Sequence, residues 1–80
     1  MRREIMVRAY LKIWTKSGRE GQVREDLLAI KGVKMADLTA GEQDIMVVVE
    51  AEAYEDLLQI VVGQIRTLSG VERTVTNLAL

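Results

Sequence analysis

The eighty residues predict an α+β domain: four strands in one antiparallel sheet, two helices on one of its faces, in the chain order β-α-β-β-α-β. Three observations carry that prediction. Two segments alternate apolar residues with the two-residue period of a strand, and two others space them as a helix does. Glycines stand where each helix must stop. A repeat offset by 38 positions then aligns Leu28-Ala-Ile-Lys-Gly-Val33 with Arg66-Thr-Leu-Ser-Gly-Val71, and Tyr10-Leu11 with Val48-Val49. Two βαβ halves related in this way, joined by right-handed crossovers, give the strand order 4-1-3-2 of the ferredoxin-like fold.

The elements follow in order. Ile5 to Trp14 reads as the first strand, with Ile5, Val7, Ala9, Leu11 and Ile13 on one face and Met6, Arg8, Tyr10, Lys12 and Trp14 on the other. Thr15-Lys16-Ser17-Gly18 is a polar turn in which Ser17 is placed to cap the next helix. That helix spans about Arg19 to Ile30, with Val23, Leu27, Leu28 and Ile30 at helical spacing, and Lys31-Gly32 ends it. Val33 to Ala40 is the second strand. Val33, Ala36 and Leu38 cannot share a face in a strict two-residue repeat, so a bulge is expected near Lys34-Met35. Gly41-Glu42-Gln43 closes a hairpin onto a third strand, Asp44 to Ala51, with Ile45, Val47 and Val49 inward. Glu52 to Leu68 reads as one long helix with the stripe Tyr54, Leu57, Leu58, Val61, Val62, Ile65 and Leu68. Gly63 inside it suggests close approach by another segment. Ser69-Gly70 ends that helix, and Val71 to Leu80 is the last strand.

Composition narrows the function. One domain, residues 1–80, fills the chain. Apolar types make up 49% and charged types 29%, with no proline, which argues against disorder. Eleven Lys+Arg against twelve Asp+Glu give a formal charge of −1, unlike a surface built to grip nucleic-acid phosphates. Without cysteine or histidine, disulfides, CxxC sites, thiol nucleophiles and imidazole bases or metal ligands are excluded. The longest uncharged apolar run, Ile45 to Val49, is far short of the ~20 residues of a membrane span, and no signal-peptide core follows Arg2-Arg3. The expected location is the cytoplasm, with no membrane contact. A domain this small gains little net stability from its core alone, and association is the remaining supplement once disulfides and metals are excluded.

The sheet face left bare by the helices carries Met6, Tyr10, Trp14, Met46 and Val48 beside Arg8 and Lys12. Scattered apolar residues on a solvated face are common. A contiguous patch would instead pack on a second copy across a two-fold axis, with the Arg8 and Lys12 stems over its rim. An RNA-binding sheet would show stacking rings in a basic field, and this chain has no Phe.

Thr39-Ala40-Gly41-Glu42-Gln43-Asp44 is the most distinctive segment. A glycine lets the backbone present unpaired N–H groups to a carboxylate, while Glu42 or Asp44 takes an ammonium. The competing reading is a plain hairpin turn in which Asp44 bonds its own turn's amides. Glu50, Glu52, Glu55 and Asp56 complement the start of the second helix rather than forming a metal site. Arg66 and Arg73 read as solvated charge, with anion binding as the alternative. Thr74, Thr76 and Asn77 make the last strand polar.

These residues, Gly32-Val33, then Thr39 to Val47, then Ile65 to Thr74, resemble the effector-binding RAM domain of the Lrp/AsnC regulators over roughly Val7 to Leu80. The Gly-x-x-Asp turn after strand two and the Gly-Val pairs opening strands two and four carry the resemblance. Met1 stands close to the first strand, so the chain reads as a stand-alone form without a helix-turn-helix; a piece trimmed from a longer regulator would look the same. The resemblance implies dimers formed through the sheets, here through Tyr10, Met46 and Val48, gathered into rings of eight or ten chains. It implies an amino acid or related small molecule bound between dimers, with Thr39, Ala40, Gly41, Glu42 and Asp44 matching the ligand loop and Thr74 and Thr76 matching polar positions on the last strand. Position 43, often aromatic in relatives, is Gln here.

The expected function is therefore a ring-forming effector-binding domain. It is not an enzyme, needs no cofactor or metal, does not itself bind DNA, and acts in amino-acid metabolism with a full-length Lrp/AsnC regulator as a candidate partner. The alternatives are a small ferredoxin-like dimeric enzyme of the cofactor-free oxygenase type, for which His and inward polar residues are missing, and an assembly-only scaffold. An ACT-type module would share the fold but would be joined to an enzyme.

Overall fold

Alternation in β1, Val7–Thr15, buries Ala9, Leu11, Ile13 and Thr15 and turns Arg8, Tyr10, Lys12 and Trp14 to the other face. This is seen in a computed structural model of the chain, which describes residues 6–80; Ile5, expected to open the strand, lies outside them. After β1 come α1, Glu20–Leu28, β2, Val33–Leu38, and β3, Ile45–Ala51. Then α2, Tyr54–Gln59, runs directly into a π-helical segment, Ile60–Ile65, and β4, Val71–Leu78, completes the sheet. The spatial order is β2-β3-β1-β4, antiparallel throughout, which is the expected ferredoxin-like topology.

The core lies between the sheet and its helices. Leu11 and Ile13 of β1 and Ile45, Val47 and Val49 of β3 meet Val23 and Leu27 of α1 and Leu57, Val61 and Ile65 of the second helix, all inaccessible or nearly so. Each such side chain contributes on the order of 1.5–3 kcal/mol by leaving water.

The repeat is visible in the backbone. Gly32 and Gly70, equivalent positions in the two halves, have φ of +103° and +97°, a region that side chains rarely adopt. The bulge expected in β2 is present: Val33 pairs with Val49 and Met35 with Val48, leaving Lys34 as the extra residue. β4 repeats it, Val71 pairing with Thr15 and Arg73 with Trp14, so that Glu72 is extra. That second bulge was not expected from the sequence.

Several expectations need correction. Ser17 does not cap α1: the N-cap is Arg19, with no side-chain hydrogen bond, and the turn is closed by the Arg19 N–H donating to the Lys16 carbonyl at 3.0 Å. With Gly18 at φ +80°, the chain enters α1 too late for Ser17 to reach it. The long helix is not uniform. It starts at Tyr54, two residues later than expected, and from Ile60 it widens, the Arg66 N–H donating to the carbonyl of Val61, five residues back, at 2.9 Å. Ile60-Val61-Val62 crowd their χ1 angles in a regular α-turn and Gly63 adds no α preference, which lowers the cost of departing from it. The apolar stripe splits accordingly. Leu57, Val61 and Ile65, four apart, are buried, whereas Tyr54, Leu58 and Val62 are 44%, 49% and 51% exposed. Gly63 faces open space rather than a close neighbour.

Candidate functional site

The register of β1 assembles the helix-free face. Arg8 stands opposite Glu50, Tyr10 between Val48 and Asn77, Lys12 between Met46 and Val75, and Trp14 opposite Arg73. Tyr10 is 38% exposed, and Met46 and Val48 are half-buried at the centre of the face. The charged groups are paired along it. The Arg8 guanidinium bonds Glu50 Oε2 at 2.9 Å and the Tyr10 hydroxyl at 3.4 Å. The Tyr10 contact first, and the Glu50 carboxylate second, push its pKa above the usual guanidinium value. Lys12 meets Glu42 at 3.3 Å, and Arg73 lies 4.6 Å from the centre of the Trp14 ring. The result is an apolar strip, Tyr10-Val48-Met46, flanked by charges that are already satisfied.

The same face holds the turn between β2 and β3. Trp14 Nε1 donates to the Glu42 carbonyl at 2.9 Å, and Lys12 holds the Glu42 carboxylate from beside it. Inside the turn the Thr39 N–H donates to the Asp44 carbonyl at 2.9 Å and Thr39 Oγ1 donates to the Gln43 carbonyl at 2.7 Å. Gln43 Nε2 returns a bond to Thr39 Oγ1 at 3.1 Å, so Gln43 is a brace of the turn. Asp44 ties the turn to β1: its N–H donates to the Ile13 carbonyl, and its Oδ2 accepts the Thr15 N–H at 2.7 Å and the Thr15 hydroxyl at 3.3 Å.

Two groups are left over. Among the described residues, Asp44 Oδ1 has no partner, and the N–H groups of Ala40, Gly41, Glu42 and Gln43 reach no protein acceptor. Gly41 does not have a positive φ, and a Cβ there would meet nothing within 4 Å, so its backbone shape does not require glycine. Thr74 and Thr76 stand elsewhere. They pair with Ile13 and Leu11 on the helix side of the edge strand β4. Ile13 lies between Thr74 and Ile45, which puts two strand spacings, about 10 Å, between Thr74 and the start of β3. The turn residues form one group and the two threonines another, at the same end of the sheet but not in one pocket of a single protomer.

Sequence reasoning missed the residues that hold the turn. Trp14, Lys12 and Thr15 lie 28–30 positions from their partners, and only the register of β1 against β3 brings them together. Among the described residues no three carboxylates converge as a metal site, Glu50 being engaged by Arg8, and no helix is long and apolar enough to cross a membrane.

The βαββαβ domain thus presents an exposed, amide-rich turn beside an apolar sheet face. Comparison with known proteins gives its class. Residues 8–80 match the Lrp/AsnC ligand binding domain, and the chain belongs to that family of regulatory effector-binding domains. It is 38% identical over 55 residues to the uncharacterized HTH-type transcriptional regulator PH1916 of Pyrococcus horikoshii, a match covering 69% of this chain and 37% of that one. The matched part thus spans little more than a third of the curated relative's length. Among solved structures, FFRP-DM1 superposes with a TM-score of 0.89 at 36% identity, over 92% of this chain and 99% of that one. The transcriptional regulator NMB0573 from Neisseria meningitidis, described as a complex with L-Met, shares the fold at a TM-score of 0.78 and 15% identity, over 92% of this chain and 49% of that one.

Proposed function

We propose that this domain binds an amino acid at the turn Thr39–Asp44 and reports it through assembly, without turnover. The observation that carries the reading is the pairing of four consecutive N–H groups, Ala40 to Gln43, with the Asp44 Oδ1 oxygen, none of which has a partner among the described residues. The amides suit an α-carboxylate and Asp44 Oδ1 suits an α-ammonium. The regulator named as an L-Met complex supports the ligand class by analogy. Dimers form through Tyr10, Met46 and Val48, and dimers gather into a ring of eight or ten. Because Thr74 and Thr76 lie apart from the turn within one protomer, they contribute to the ligand from a neighbouring dimer. The domain works in the cytoplasm beside a full-length Lrp/AsnC regulator, as the naming of its curated relative as a transcriptional regulator suggests.

A thermal-shift screen of the twenty common amino acids, with the assembly mass followed by light scattering, tests this. At least one amino acid should raise the melting temperature saturably and remain chemically unchanged. If none shifts the melt or the mass, the effector-binding reading gives way to an assembly-only scaffold.

A further inference from the structure

A second place on the molecule has the chemistry of a small-molecule site. At the end of the sheet away from the Thr39–Asp44 turn, a cleft of about 460 Å³ opens between the start of β2 and the second helix. Its size falls within the range of small-molecule sites, roughly 300–1,000 Å³. Lys31 and Lys34 come from the β2 side, Glu52 and Asp56 from the chain entering α2 and its first turn, and Gln59 and Gln64 from the helix. Among the described residues the ion pairs are Arg8 with Glu50 and Lys12 with Glu42, and none of these four charges is in one.

The π-helical segment borders the cleft through Ile60 and Gln64. In the first half of the repeat, a Cβ on Gly70 would meet Val23. The equivalent contact in the second half would set Gly32 against Val61. Instead it is Ile60 whose Cδ1 would lie 2.7 Å from a Cβ on Gly32, one residue out of step. Ile60 opens the π-helical segment, and π turns recur at functional sites. Here Ile60 forms an apolar wall, with Gln59 and Gln64 beside it.

Glu50 also lines the cleft but is held by Arg8, so two lysines are left to balance two carboxylates, Glu52 and Asp56, and neither a simple anion nor a simple cation gains by entering. A dipolar molecule does: its carboxylate meets Lys31 and Lys34, its ammonium meets Glu52 and Asp56, and its side chain lies along Ile60. We infer that this cleft is a second binding site, distinct from the turn, for a free zwitterionic amino acid. Its ligand class follows from the cleft's own charges, and the site stands whether or not the turn binds anything.

The test is a titration of the ¹⁵N-labelled full chain with each of the twenty common L-amino acids, read as amide shifts. At least one should move the signals of Lys31, Lys34, Asp56 and Gln64 saturably. The N-acetyl methylamide of the same amino acid, which carries neither charge, should not. Lys34 and Asp56 are exposed, so Lys34→Ala and Asp56→Asn should keep the fold. Each should weaken these shifts about tenfold or more while leaving any response at Thr39–Asp44 unchanged. Saturable shifts confined to Thr39–Asp44, equal binding of the uncharged derivative, unaltered binding by both variants, or no saturable shift at all would each overturn the proposal. Failure of the turn site alone would show as silence at Thr39–Asp44 with the cleft still responding.

Discussion

Asp44 serves two partners through one carboxylate. Its Oδ2 accepts the buried Thr15 N–H and the Thr15 hydroxyl, while Oδ1 points to no described residue. The structural and binding roles can therefore be separated. Asp44→Asn keeps an acceptor for Thr15 but replaces a charge-assisted bond by a neutral one, at a cost of about 1 kcal/mol. Denaturant melts should show that small loss. Loss of the charge opposite the ligand's ammonium should weaken binding by about 10–150-fold, read by calorimetry with whichever amino acid the thermal screen selects. A variant that stays folded and binds as tightly as the parent would make Asp44 a turn residue only. Gly41 behaves differently from its appearance in the sequence. With no positive φ and open space around it, Gly41→Ala should leave stability within ~0.5 kcal/mol of the parent, again by denaturant melts.

The second helix shows which elements sequence could resolve. Tyr54, Leu57, Leu58, Val61, Val62 and Ile65 contain two rows, each with steps of four, and a 3.6-residue period takes both as one face. The widened turn at Ile60–Ile65 follows only one of them into the core. Strands β1 and β3 were legible because every inward position except the terminal Thr15 is aliphatic. The β2 bulge was legible because Val33, Ala36 and Leu38 break parity; its twin at Glu72 was not, because polar β4 has no apolar parity to break. The turn was legible as a candidate, but its Trp14 and Thr15 anchors depend on cross-strand register, which composition and periodicity do not encode. At Gly63 the correction becomes a prediction. A glycine in a helical segment with nothing within 4 Å carries backbone entropy and no packing duty. Gly63→Ala should stabilise the fold by about 0.4–1 kcal/mol, raising the melting temperature by a few degrees; a fall would mean that the π geometry itself needs glycine.

At the scale of the molecule, charge and the open sheet face decide how it meets partners. The formal charge is −1, and Arg8, Lys12 and Arg73 are held by Glu50, Glu42 and the Trp14 ring. The eighty-residue chain should therefore show no sequence-specific duplex binding at physiological salt by fluorescence anisotropy; nanomolar affinity for one defined duplex would refute this. The sheet face should instead meet its own copy. Val48 sits between Tyr10 and Met35 in the register, half-buried, with Arg8 already committed to Glu50. In a monomer, Val48→Glu keeps its carboxylate in water and costs little. In a dimer packed through Tyr10, Met46 and Val48, it buries two symmetry-related carboxylates without partners, at about 3–5 kcal/mol for each uncompensated charge. Because dimerisation stabilises by mass action, the parent's melting temperature should rise with protein concentration. That of Val48→Glu should be lower and independent of concentration, with a light-scattering mass reduced to that of the single chain. If Val48→Glu keeps the parent's mass and its concentration-dependent melt, the chains associate through another surface, and the apolar strip on the sheet is an ordinary solvated face.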